Sequence, residues 1–210
     1  MNHTEMRNLV RQDLKDTIPA TYRWTDDTLD RHVRRAVAEY SAAAPRQMKT
    51  AFVTVLGCME LDISSLLDRT VVLGVEYPID LKPRKFRPYT VWADRLTLEN
   101  CPAPDGGDLA VYWGCLHTLD ASSTTIPSQH HDLIAAGAAA YAAIEWAAYA
   151  VNRINSGSNA AADYLRWGKE RMSVFRDELR RLSRRSEFRA GKFFRPVEDY
   201  SCPDDTHFWG

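Results

Sequence analysis

The sequence predicts an α+β fold, a bundle of about four helices interrupted by a small antiparallel β domain. Three observations carry this. Apolar residues recur every three or four positions up to Pro45 and again after Pro127. Between Thr50 and Thr118 the period falls to two. Prolines mark both junctions, where an insertion is economical if its ends lie close together. The expected organisation is a helical core from residues 1–48 and 128–190, an inserted β domain at 49–127, and an extended tail at 191–210.

The first helix is expected to start near Thr4 as its cap, with Glu5 in the first turn. Met6, Val10 and Leu14 form its apolar face, with Leu9 beside them, and Ile18-Pro19 is expected to stop it. The second helix has Thr25 as its cap, with Asp26 and Asp27 at the positive end of the dipole. Leu29, Val33, Ala36, Val37 and Tyr40 face inward, Arg31, Arg34, Arg35 and Glu39 outward, and Trp24 is placed to staple back onto Leu29 or Thr28.

In the middle segment, Val71, Leu73, Val75 and Tyr77 alternate with Val72, Gly74 and Glu76. Leu96 and Leu98, and then Leu109, Val111 and Trp113, alternate in the same way, so four to six short strands are expected, each with one buried face. Val71, Leu73, Val75, Leu96, Leu98, Val111 and Trp113 are expected to share a core. Turn signals separate the strands at Pro78, Pro83, Pro88, Ala93-Asp94 and Pro104-Asp105-Gly106-Gly107.

The third helix follows Pro127, with Ser128 as its expected cap, and runs to about Ile154. Its run from Ala135 to Ala140 is built of small residues, which let another helix approach closely. The fourth begins near Asn159 and carries a heptad-like seam of Leu165, Gly168, Met172, Phe175, Leu179 and Leu182. The seam is expected to bury against the third helix.

Composition excludes little by itself. The 210 residues carry a net charge of −1, so the molecule as a whole is not an obvious nucleic-acid or membrane binder. The start, MNHTEMRNLVRQ, lacks the apolar run of a signal peptide. The longest apolar stretch, Leu133 to Val151, is mostly alanine and contains Glu145, so an intracellular protein is expected rather than a membrane span. Cys58, Cys101, Cys115 and Cys202 show no C-x-x-C spacing and read as scattered thiols.

Chemistry-bearing motifs are scarce. There is no phosphate loop, G-x-S-x-G elbow or H-E-x-x-H. His117, His130, His131 and Asp132 are the best metal candidates, yet adjacent histidines on a helix diverge by about 100°, so neither a metal nor any cofactor is expected. Glu145 is conceivable as a base, but fits better as the partner of an arginine on a neighbouring helix or subunit. From Asp163 to Arg195 eleven basic residues stand against five acidic ones, a local charge of about +6, densest at Arg180, Arg181, Arg184 and Arg185. These arginines read as a solvated face paired to Asp177 and Glu178, as a subunit contact, or as a DNA contact. The tail joins Phe193, Phe194, Tyr200, Phe208 and Trp209 to prolines and acids, which suits docking into a partner's groove or folding back on its own domain.

The segment Tyr22-Arg23-Trp24-Thr25-Asp26-Asp27-Thr28-Leu29, opening a helix that continues Arg34-Arg35-Ala36-Val37-Ala38-Glu39-Tyr40-Ser41 before Pro45, resembles the N-terminal region of head–tail connector (adaptor) proteins of tailed phages. Val75-Glu76-Tyr77-Pro78, and Thr124-Thr125-Ile126-Pro127 before an alanine-rich helix, resemble larger members with a β insertion. The resemblance covers most of residues 1–190 and rests on caps and core periodicity. It implies a non-enzymatic viral structural protein in the virion neck, made in the host cytoplasm. It implies a homo-oligomeric ring, commonly a dodecamer, beneath the portal protein. The ring extends the channel through which DNA passes without sequence readout, and the next tail or neck component docks on it. The resemblance does not cover the C-terminal tail, but its composition from Phe193 to Gly210 suits a docking arm for a neighbouring ring, the portal. Two other classes compete: a ligand- or carbohydrate-binding β module using Trp92, Tyr112 and Trp113, and a DNA-binding protein using the basic fourth helix.

Overall fold

Asn2 and Glu5 start the first helix. In the computed structural model, which describes residues 1–99, 102–151 and 160–186, α1 spans His3–Asp13 and opens with a capping box. The Asn2 side chain accepts from the Glu5 amide and the Glu5 carboxylate accepts from the Asn2 amide, both at 2.9 Å. The cap is therefore Asn2, not Thr4. The helix also ends before Pro19. Lys15 takes a left-handed φ of 57°, the Asp16 amide donates to the Arg11 carbonyl at 2.9 Å and the Lys15 amide to that of Gln12 at 3.2 Å. That is a Schellman ending, which satisfies the last carbonyls without a proline.

The segment 22–29 ties the bundle together. Thr25 caps α2 (Asp26–Ala43) by accepting from the Thr28 amide. Arg11 is buried and bonds Asp16 at 2.6 Å, the Trp24 carbonyl at 3.0 Å and Asp26 at 2.7 Å. One terminal nitrogen of Arg7 donates to both carboxylate oxygens of Asp30, at 3.2 and 3.0 Å. Trp24 reaches across the bundle: its indole N–H donates to the Ala142 carbonyl at 3.2 Å and its ring meets Tyr164 edge-on.

The chain forms two compact units. One comprises Met1–Lys49, Ile63–Leu73 and the described residues from Tyr112 onward; the other comprises Thr50–Asp62 and Gly74–Val111. The expected insertion at 49–127 is thus shared between them, because strands β1 (Arg46–Val53), β3 (Arg69–Glu76) and β6 (Asp108–Cys115) each contain a boundary.

In the helical unit, α3 (His131–Val151) and α4 (Ala160–Ser186) form the largest contact, and α1 and α2 pack on α3. Ser128 does not cap α3. It opens a 3-10 turn, Ser128–His130, that leads into it. The stretch Ser128–Ala150 is long and apolar enough to cross a membrane by length and composition; here α1, α2 and α4 pack against it. Met172, Phe175 and Leu179 are buried, as the seam predicts, while Leu165 and Leu182 are half-buried. Two glycines set the spacing. A Cβ on Gly137 would lie 2.7 Å from the Phe175 ring, and one on Gly168 would lie 2.8 Å from Ile144.

The described residues form two three-stranded antiparallel sheets, ordered β1-β6-β3 and β2-β5-β4, the latter from Glu60–Asp62, Tyr89–Trp92 and Arg95–Leu98. The two-residue turn at Ala93-Asp94 joins β4 to β5, with Trp92 opposite Arg95. The seven residues expected in one β core separate. Val75, Leu96, Leu98 and Val111 are buried in the second unit, and Trp113 is buried in the helical unit. Leu73 is half-buried and Val71 is 39% exposed. Alternation fails in β6 because a central strand is covered on both faces, so Leu109, Ala110 and Val111 are all buried. Glu76, placed by alternation on the open face of β3, is fully buried, with Arg84 Nε 3.9 Å from its carboxylate.

Candidate functional site

The seam of α4 buries one face of that helix and turns its cations to both sides. Lys169, Arg176 and Arg180 fall on one flank, spaced seven and four apart, so they stack along the helix. Arg35 of α2 and Tyr141 and Ile144 of α3 face them. Together with Met172 and Ser173 these residues line a groove of about 490 Å³. A second hollow of about 400 Å³ shares Arg176 and Arg180 and adds Glu39, Ala42, Ala43, Leu179 and Ser183.

The groove is net basic. The Tyr141 hydroxyl donates to the Glu39 carboxylate, and Arg35 lies 4.0 Å above the Tyr141 ring, a cation–π contact, and 3.8 Å from Glu39. Burial, and then the Glu39 carboxylate, push the Tyr141 hydroxyl above its ordinary pKa, so it stays a neutral donor. Arg180 bonds Asp177 at 2.7 Å. Lys169 makes no ion pair among the described residues. Four cations therefore face two carboxylates, with Ile144 and Met172 supplying an apolar floor.

Of the arginines singled out by sequence, only Arg180 lines the groove. Arg181 bonds Glu178 at 2.6 Å, and Arg184 and Arg185 are exposed in the last turn of α4, at the negative end of its dipole. Sequence reasoning missed Arg35, Lys169 and Arg176. The available signal was the 169–176–180 spacing; that α2 brings Arg35 to it depends on packing. The tail residues Phe193, Phe194, Tyr200, Phe208 and Trp209 lie outside the described residues.

No protein-family model matches the chain, and no curated protein matches it.

The remaining candidates serve the fold. Tyr40 bonds His130 Nδ1 at 2.7 Å, His117 lies 3.1 Å from the Ala44 carbonyl and 3.0 Å from that of Thr125, and His131 lies 3.1 Å from the Ile126 carbonyl. Among the described residues no three His, Cys, Asp or Glu side chains are grouped to hold a metal. Glu145 takes both its hydrogen bonds from Arg31 of α2. Its carboxylate also lies 3.2 Å from buried His32 Nε2, without the direction of a hydrogen bond. Burial holds His32 below its ordinary pKa, with Glu145 opposing. Of the aromatics proposed for a β-module pocket, Trp92 is 85% exposed and Trp113 is buried.

Proposed function

We propose that the chain is a structural head–tail connector subunit of a tailed phage, assembling as a ring beneath the portal, extending the DNA channel and presenting a platform for the next neck or tail component. One observation carries this reading: among the described residues two helices, a β segment and two helices follow one another, and the 22–29 segment that bears the resemblance joins α1, α2 and α3. Several of the ionisable groups in the helical unit serve the fold, which supports a non-enzymatic role: Arg11, Tyr40, His117 and His130 hold elements to one another. The partners of such a subunit are further copies of itself, commonly twelve-fold as the resemblance implies, the portal protein, and DNA passing without sequence readout.

In this reading the tail, with Phe193, Phe194, Tyr200, Phe208 and Trp209, is the portal-docking arm. One arm per subunit acts multivalently around a ring, so weak single contacts sum to firm attachment. The test is electron microscopy and light scattering of the purified chain, alone and mixed with a candidate portal. Closed rings, or rings formed on the portal, are expected. A species that stays monomeric at all concentrations and ignores the portal overturns the reading. A chain shortened after Arg189 is expected to keep its melting temperature and lose portal binding.

A further inference from the structure

We propose that the basic groove between α2, α3 and α4 is the resting seat of the chain's own acidic tail segment, residues 198–205, so that a free subunit holds its arm on itself until a partner takes it. The inference rests on the docking-arm reading and adds its regulation.

Three facts support it. The first is charge. Glu198, Asp199, Asp204 and Asp205 sit in a stretch, 198–210, that contains no Lys or Arg. The groove opposite gathers Arg35, Lys169, Arg176 and Arg180, of which Lys169 has no ion pair among the described residues. The second is reach. Arg176 lies ten residues back from Ser186 along α4, about 15 Å of helix. Glu198 lies twelve residues beyond Ser186, a span of up to about 40 Å when extended. The tail therefore spans the distance with slack, and a tether of that length keeps its acids at roughly millimolar effective concentration. The third is the floor. Met172 and Ile144 offer apolar surface between the cations. A phosphate has no group to place there, whereas Tyr200, between Asp199 and Asp204, does.

Zero-length carbodiimide cross-linking of the full chain reads this directly, because the reagent joins an amine to a carboxylate only when the two are in contact. The monomer band is cut out and its peptides are mapped. The expected product joins Lys169 to one of Glu198, Asp199, Asp204 or Asp205. Its yield falls about tenfold in the double variant Arg176→Gln, Arg180→Gln, as expected for two exposed pairs each worth about threefold. It falls similarly in 0.5 M NaCl. Circular dichroism melts confirm that the variant stays folded. Lys169 linked to the tail only in a dimer band means that the seat belongs to a neighbouring copy, and overturns the proposal. So does the absence of any Lys169–tail product, or a yield indifferent to the arginines. Retention of duplex DNA by the wild type but not by the double variant, with no tail cross-link, makes a phosphate backbone the occupant and overturns it as well. Ring formation and portal binding are read separately, so failure of the seat leaves the connector reading standing, and the reverse.

Discussion

At the scale of single residues, the tightest constraint is the pair Gly137 and Phe175. Alanine at 137 gains helix propensity of up to about 1 kcal/mol, but its methyl would sit 2.7 Å from the Phe175 ring. Overpacking costs about 1–3 kcal/mol, so Gly137→Ala is expected to destabilise. Phe175→Ala, which empties a buried site, is expected to cost about 3–5 kcal/mol. Because the new methyl enters the space the ring has left, the double variant is expected to be more stable than the sum of the singles predicts. Urea denaturation of the four proteins measures this, and strict additivity would show that the two positions do not share a contact. Buried Arg11 teaches a second lesson. The sequence shows an arginine one residue after Val10 on a short helix, and nothing in its spacing distinguishes it from a solvated charge. Only the turn at 14–24 brings Asp16, the Trp24 carbonyl and Asp26 around it.

At the scale of elements, Lys15 is out of place. It occupies the left-handed position of the Schellman ending of α1, where glycine is the usual residue. Lys15→Gly relieves a steric cost of about 1–2 kcal/mol and gives up about 0.5–1 kcal/mol of unfolded-chain entropy. A net gain of about 0.5–1 kcal/mol is expected in thermal denaturation; a loss would mean that the lysine side chain contributes more than the turn geometry costs. The elements that were legible in the sequence are those with one wet face and one dry one. α2 and α4 show their caps or seams plainly, and Ala93-Asp94 marks its hairpin. The illegible parts have a common cause. β6 is covered on both sides, so burial erases the alternation that identifies a face. Ser128 looks like a cap, but the chain tightens into a 3-10 turn first. The basic groove was half legible: the flank of α4 follows from spacing, whereas Arg35 joins it only through the packing of α2.

At the scale of the whole molecule, stability is expected to fall on mild acidification. His32, His117 and His130 are all held below their ordinary pKa, in each case chiefly by burial. The unfolded chain then binds protons at a higher pH than the folded one. Stability is therefore fullest above the ordinary histidine range and is lost as pH falls from there toward the depressed folded values. Asp26, lowered by its bond to Arg11, adds a further loss of the same sign at lower pH, below the ordinary carboxylate range. Melting temperatures at pH 7.5 and 5.5 check this; an equal or higher value at 5.5 would contradict it. A last consequence follows from the bond between Trp24 and Ala142, partners 118 residues apart. The first two helices leave the ribosome with their apolar faces exposed, and the helix that covers them is made only after the strands. Local turns form quickly, but closing so long a loop delays the nucleus. During that interval the nascent chain displays Met6, Val10, Leu29 and Val33 with α3 not yet made to cover them, so chaperones are expected to engage its N-terminal fifth.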